Sequence, residues 1–195
     1  TDIDYVLTFI MFFSGANFNL HLAAIRGRTL RPYRDAEFGF YAVIVVSSVL
    51  MICAVLIWHG AYDDFIAALR YASFQVVSII TTTGFVTANY ALWPMFTQLL
   101  LLALMLVGGC AGSTAGAIKC VRFQVVIKES IAELKRMIHP NAVVAIFQGR
   151  NTASPSMVTS AASFIAIYFI IWGASALAVS LSGHDIVTSI SAVAA

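Results

Sequence analysis

The sequence predicts an all-α integral membrane protein. Its units repeat in the order transmembrane helix, re-entrant short helix with a loop, transmembrane helix. Three observations carry this. Hydrophobic residues make up 61% of the 195 and charged ones only 10%, whereas a soluble domain carries about a quarter charged residues; the mean hydropathy is +0.91. The apolar runs are continuous rather than alternating, which selects helices over a membrane barrel. The order span, link containing Asp, short apolar segment occurs at residues 38–80 and again at 157–195, an internal repeat of order rather than identity.

The same composition excludes several classes. A net charge of +2 is too small for a nucleic-acid binder, and the partner it implies is the lipid bilayer. Cys53, Cys110 and Cys120 are odd in number, lack CxxC spacing and lie in or beside apolar runs. They read as small buried hydrophobes rather than a disulfide frame or a metal site. The chain begins at Thr1 with no basic n-region and no cleavage pattern, and it reads as a piece of something longer.

Residues 5–25 are expected to form the first span, since at about 1.5 Å per residue they cover roughly 30 Å. Asp2 and Asp4 open it, and Arg26, Arg28, Arg31 and Arg34 follow it. Amides inside a span usually hydrogen-bond a neighbouring helix. Asn17 and Asn19 are therefore read first as packing residues and second as pore-lining ones. Pro32 breaks any helix in the basic linker. Residues 38–58 are the second span, with Trp58 at the far interface and His59 as a solvated end residue.

Asp63 and Asp64 suit a helix N-terminus. The helix they would cap, 65–80, is too short for a comfortable span and reads as re-entrant or buried. It runs into Ser78-Ile79-Ile80-Thr81-Thr82-Thr83-Gly84-Phe85. β-Branched threonines and a glycine are a poor helix recipe, and non-helical backbone at membrane depth survives only buried in protein or lining a wet cavity. One reading is an extended strand whose carbonyls face a pore, as carbonyl rings replace the hydration shell of potassium in channel filters. Gly84 would supply the unusual dihedrals, and the helix C-terminus would favour a cation. The other reading is an extracellular Thr-rich loop.

Residues 91–118 are the third span. It begins at Trp93-Pro94, where proline is tolerated, and is strongly helical from Leu99 to Val107. Four glycines then fall within the nine residues 108–116, at Gly108, Gly109, Gly112 and Gly116, with Ser113 and Thr114 between. Each costs a helix about 1 kcal/mol relative to alanine. Either the helix melts into a loop inside the membrane, or Gly112 and Gly116 form a small-xxx-small packing motif.

Residues 118–138 are an amphipathic helix carrying Lys119, Arg122, Lys128, Lys135 and Arg136, ended by His139-Pro140. Turn signals at Gln148-Gly149-Arg150-Asn151 and Ser154-Pro155 point to a short hairpin. Residues 157–181 are the fourth span. Ser182-Gly183-His184-Asp185 leads into a last short helix at 186–195. The basic residues place 26–37 and 119–156 in the cytoplasm, and 59–64 and 182–185 outside. Between Tyr71 and Ile118 there is no Asp, Glu, Lys, Arg or His. An ion handled there is handled by carbonyls, hydroxyls and helix dipoles, which favours a dehydrated monovalent cation over protons or divalent ions.

SIITTTGF after a short helix, then GGCAGSTAGAIK in a span, then a basic amphipathic helix ending in HP, resembles the Trk/Ktr/HKT superfamily of potassium transporters. Within it the nearest likeness is to the bacterial TrkH/TrkG branch, which SGANFNLH and HDIVTSISAVAA also match. The resemblance implies four pore repeats around one channel. Residues 1–26 would be the last helix of the second repeat, 27–37 a cytoplasmic linker and 38–118 the third repeat. Residues 119–156 would be a cytoplasmic helix and turn, and 157–195 the start of the fourth repeat, cut before its filter. Thr82, Thr83, Gly84 and Phe85 match the family's filter strand, with potassium at Thr82, Thr83 and Gly84. Gly108, Gly109, Gly112, Ser113, Thr114 and Gly116 match its intramembrane gating loop. The resemblance further implies potassium uptake at the bacterial inner membrane with no organic cofactor. It implies a homodimer, and a cytosolic nucleotide-binding regulatory subunit of the TrkA kind. Two alternatives stand beside it. One is a structural membrane module. The other is an intramembrane serine hydrolase using Ser113, which would need a base within reach, while His21, His59, His139 and His184 all lie near span ends.

Overall fold

The computed structural model describes residues 2–139, 147–148, 151–152 and 154–194. The helices are α1 (Asp2–Ser14), α2 (Phe18–Gly27), α3 (Ala36–Trp58), α4 (Phe65–Ile80), α5 (Met95–Val107), α6 (Cys120–Ile138), α7 (Pro155–Ser180) and α8 (Ile186–Ala194). Single 3-10 turns occupy Arg31–Arg34 and Tyr90–Leu92. The expected hairpin is the pair β1 (Phe147–Gln148) and β2 (Asn151–Thr152), antiparallel with Phe147 opposite Thr152. Its turn at Gly149-Arg150, like Pro140, falls outside the described residues.

α3 and α7 are the two helices long and apolar enough to cross a membrane by themselves. Asp35 caps α3, its carboxylate accepting from the N–H groups of Glu37 and Phe38. α4 packs against three other helices, α3, α1 and α5. Ala68 and Ala72 are fully buried, which lets a neighbouring backbone approach closely. Every residue from Phe74 to Ile80 is also buried, the mark of a helix enclosed on all sides. Around it lie Tyr41, Ile52 and Leu56 of α3 and Leu101 and Leu104 of α5. Asp64 caps α4 as expected, accepting from Ile66 N–H at 3.2 Å. At 16 residues and about 1.5 Å each, α4 is roughly 24 Å long, short of the hydrocarbon thickness.

The first span departs from expectation. Residues 5–25 are not one helix: α1 and α2 meet at 97°. The break falls at Gly15, which is wedged so tightly that a Cβ there would lie 2.5 Å from Tyr41 Oη and 2.9 Å from a Thr81 methyl. A broken helix leaves its last carbonyls without partners, and here each is taken up. Phe12 O accepts from Tyr41 Oη at 3.1 Å, and Phe13 O from His21 Nε2 at 2.9 Å. His21 Nε2 therefore carries the proton, and Nδ1 accepts from Tyr33 Oη at 2.6 Å. Ser14 O accepts from Thr114 Oγ1 at 3.2 Å and Gly15 O from Cys110 N–H at 2.9 Å. The last two donors come from the glycine-rich run.

The third span also differs. Its helix stops at Val107 and resumes only at Cys120. The 13 residues of α5 reach about 20 Å, too short to cross alone. Residues 108–119 make an excursion closed at its base, where Ile118 N–H donates to Leu106 O and Lys119 N–H to Val107 O. Gly112 and Gly116 are not on a helix, so the small-xxx-small reading does not hold. Cys53, Cys110 and Cys120 are free and buried.

Candidate functional site

Two irregular segments, 81–86 and 108–119, meet where α4 ends. The first turns sharply. Thr81 closes α4, its hydroxyl donating to Val77 O at 2.7 Å. Thr83 Oγ1 lies 2.8 Å from Thr81 Oγ1, and since the Thr81 proton is already committed, Thr83 is the donor. Thr82 adopts φ +54 and Gly84 φ +81. Positive φ is rare for a β-branched residue, so Thr82 is strained and Gly84 is where it is tolerated. Thr83 N–H and Gly84 N–H both turn back onto Ser78 O, at 2.9 and 3.4 Å. With the amides aimed at the helix end, the carbonyls of Thr82, Thr83 and Gly84 turn elsewhere, and among the described residues none donates to them. Phe85 differs from these neighbours: its carbonyl accepts from Ser78 Oγ at 2.7 Å. Thr82 and Gly84 line a cavity of about 80 Å³ together with Ser78, Ile79, Met105 and Ala194.

The second segment is folded by its own polar groups. Ser113 Oγ donates to Cys110 O at 2.6 Å, and Cys120 N–H donates to Gly109 O at 2.9 Å. Gly108 and Gly112 have φ +72 and +70. A Cβ at Gly108 would sit 2.5 Å from Gly116 O, and one at Gly112 would sit 3.1 Å from Asn17 Oδ1. The loop is tied to α1, α2, the segment 81–86 and α3. Toward α1 it gives the Cys110 and Thr114 bonds, and Gly112 O receives Phe18 N–H at 3.1 Å. Toward the strand, Gly116 N–H donates to Thr82 Oγ1 at 2.9 Å. Toward α3, Ala111 N–H donates to Glu37 Oε1 at 2.5 Å.

Thr82, Gly116, Gly108, Gly109 and Gly112 are thus brought together. Asn17 caps α2, accepting from Asn19 N–H at 2.9 Å, and its side chain packs on Gly112. Asn19 is exposed and apart from the strand. Ser113 is engaged inside the loop, which removes the ground for treating it as a nucleophile. Sequence reasoning missed Glu37, Tyr41 and Ser78 as site residues. Ser78 stands inside the motif and could have been found from it. Glu37 and Tyr41 act across long sequence separations and leave no local signal.

Comparison with known proteins identifies the family and the overall fold. The family model described as TrkH, cation transport protein, matches residues 2–195. The chain is 38% identical to the Trk system potassium uptake protein TrkH of Salmonella typhimurium over 196 aligned positions, covering 99% of this chain and 40% of that protein. It is 37% identical to the protein of the same name from Escherichia coli strain K12, with the same coverage. The crystal structure of the potassium transporter TrkH from Vibrio parahaemolyticus superposes with a TM-score of 0.91 at 35% identity, covering 98% of this chain and 42% of that one. The chain spans about two fifths of the length of these relatives. It belongs to the TrkH family of cation transport proteins.

Proposed function

We propose that the protein containing this chain takes up potassium across the bacterial inner membrane. Its pore is lined in part by the carbonyls of Thr82, Thr83 and Gly84 and closed from the cytoplasmic side by the loop 108–116. The observation that carries this reading is the hydrogen bond from Gly116 N–H to Thr82 Oγ1. It joins a strand with unclaimed carbonyls to a loop folded without helix. Thr82 and Gly84 are exposed and Thr83 is half-buried, so these carbonyls are open to a ligand, and a desolvated cation is the partner that best uses several at once. The relatives' names as potassium uptake proteins point the same way, as does the lack of Asp, Glu, Lys, Arg and His between Tyr71 and Ile118. Phe85 ends the filter strand, with its carbonyl spent on Ser78, so its part is to brace the strand. Asn17 supports the loop through Gly112 rather than facing the ion.

Residues 38–118 act in this reading as one complete pore repeat, and α7 with α8 as the opening of the next. The parent works as a homodimer, which sedimentation of the purified protein checks. It is controlled by a cytosolic nucleotide-binding subunit.

The deciding test is potassium and rubidium uptake by the full-length parent, wild type against Gly84→Ser, in cells lacking other potassium uptake and with sodium as competitor. No atom lies within 4 Å of a Cβ built at Gly84, so the substitution acts through backbone conformation alone. Left-handed dihedrals cost an L-residue about 1–2 kcal/mol. Potassium uptake is expected to fall by about tenfold, or sodium to begin passing, at unchanged membrane level. Unaltered uptake and selectivity would make Gly84 an ordinary loop residue and end the filter reading.

A further inference from the structure

We propose that Glu37 is the clamp that holds the intramembrane loop closed, acting as a positioning residue for the gate rather than as part of the ion path. This rests on the gating reading of 108–116.

Glu37 lies in the first turn of α3 and reaches a loop 74 residues further along the chain. Its carboxylate accepts from Ala111 N–H at 2.5 Å, and the backbone N–H of Val121 lies near enough to interact favourably with it. Ala111 is in the middle of the excursion, and Val121 is in the first turn of α6. One carboxylate therefore holds the loop and sits beside the point where the helix resumes. Lys119, at the N-cap of α6, has φ +78 and provides no side-chain cap. Another element instead sets a carboxylate beside the first turn, where the helix dipole favours a negative charge. The other charged groups facing Glu37 are Asp35 and Lys119.

The consequence is energetic. The loop's other ties are neutral hydrogen bonds, and a bond to a carboxylate is roughly twice as strong as those. Moving the loop aside removes the half-buried Ala111 N–H from its acceptor, and the charge-assisted bond is lost with it. A contact made in the closed state and lost in the open one shifts the equilibrium by its whole differential value. No other carboxylate is bonded to the loop among the described residues, so the closed state leans on this one.

The test is rubidium flux through the full-length parent in proteoliposomes without any regulatory subunit. Wild type is compared with Glu37→Gln and with a control in which 109–116 is deleted. The rate at which a thiol reagent modifies Cys110, read by mass spectrometry, is a second readout. Cys110 sits beside Ala111 and is wholly buried. The clamp predicts that Glu37→Gln raises basal flux and Cys110 modification together by about tenfold, or about 1.4 kcal/mol, with the thermal midpoint unchanged. If the deletion raises flux and Glu37→Gln moves neither readout, the clamp is wrong and the gate stands. If neither variant raises flux, the gating reading fails and the clamp with it. A purely structural Glu37 would lower the amount of folded protein and leave flux per folded transporter unchanged, which also overturns the proposal. Should Glu37→Gln not fold, Glu37→Asp keeps the charge, withdraws the oxygens by one methylene, and is read in the same way.

Discussion

Gly109 and Gly116 stand near opposite ends of one loop and answer to different constraints. A Cβ on Gly109 would lie 2.8 Å from Ala115 Cβ and 2.8 Å from Gly15 O, and the latter is backbone that cannot swing aside. A Cβ on Gly116 would lie 3.7 Å from the Thr82 side chain, an ordinary contact. Forcing a methyl into filled space costs about 1–3 kcal/mol. Gly109→Ala should therefore lower the thermal midpoint of the detergent-solubilised parent and speed modification of Cys110. Gly116→Ala should change both by no more than about a third as much. Equal effects from the two would mean that the loop is not packed as described. The glycine run was legible in sequence as a break because four glycines in nine residues cannot hold a helix. Which glycine is indispensable was not legible, because Gly15 and Asn17, which face them, belong to a segment some ninety residues earlier. Glu37 was hidden for the same reason. A carboxylate in the first turn of a span reads as a favourable helix start, and nothing nearby announces the amide it reaches.

Among the elements, α4 was the most readable. Asp64 marks its start, its length is wrong for a span, and consecutive hydroxyls mark its end; all three are local signals. The first span was the least readable, because its break is not caused by local sequence alone. Gly15 permits the break, but α1's freed carbonyls are satisfied by Tyr41, His21, Thr114 and Cys110. In return α2's first N–H goes to Gly112 O. Two interrupted spans thus complete each other's hydrogen bonds, and neither break is stable without the other. Gly39 makes the contrast. It lies inside α3 with no atom within 4 Å of a built Cβ. Gly39→Ala should stabilise the helix by about 0.5–1 kcal/mol, raising the thermal midpoint. Gly15→Ala, whose Cβ would strike Tyr41 and Thr81, should lower that midpoint and cut the yield of folded protein severalfold. A Gly15→Ala protein as stable as Gly39→Ala would show that α1 and α2 can straighten, and would refute the mutual support argued here.

At the scale of the whole molecule, the distribution of charge decides which way the chain faces and what meets it. The positive-inside rule puts the arginines after α2 and the lysines and arginines of α6 on one side and Arg70 on the other, where it pairs with Asp4 at 3.6 Å. That asymmetry was visible in sequence because the positive-inside rule needs only composition and order. The structure adds which α6 charges are already occupied. Arg136 is hydrogen-bonded to Glu129 and Glu133, and these carboxylates push its guanidinium pKa up. Lys135 is exposed, beside an exposed apolar row formed by Ile127, Ile131, Leu134 and Ile138. Residues at this spacing share one helix face, so α6 offers an apolar stripe edged by a lysine. A regulatory subunit docking on the cytoplasmic side would meet that edge, and surface charges of this kind act mainly on association rate and its salt dependence. Lys135→Glu in the full-length parent should therefore reduce recovery of the regulatory subunit in co-purification, most at low ionic strength. It should do so without altering rubidium flux through the unregulated transporter, because Lys135 is three helical turns or more from the loop. The charge reversal at Arg136 is the weaker experiment, since it also breaks the pairs inside α6. Recovery of the regulator that is unchanged by Lys135→Glu at every salt concentration would move the docking surface off α6 and leave the pore reading untouched.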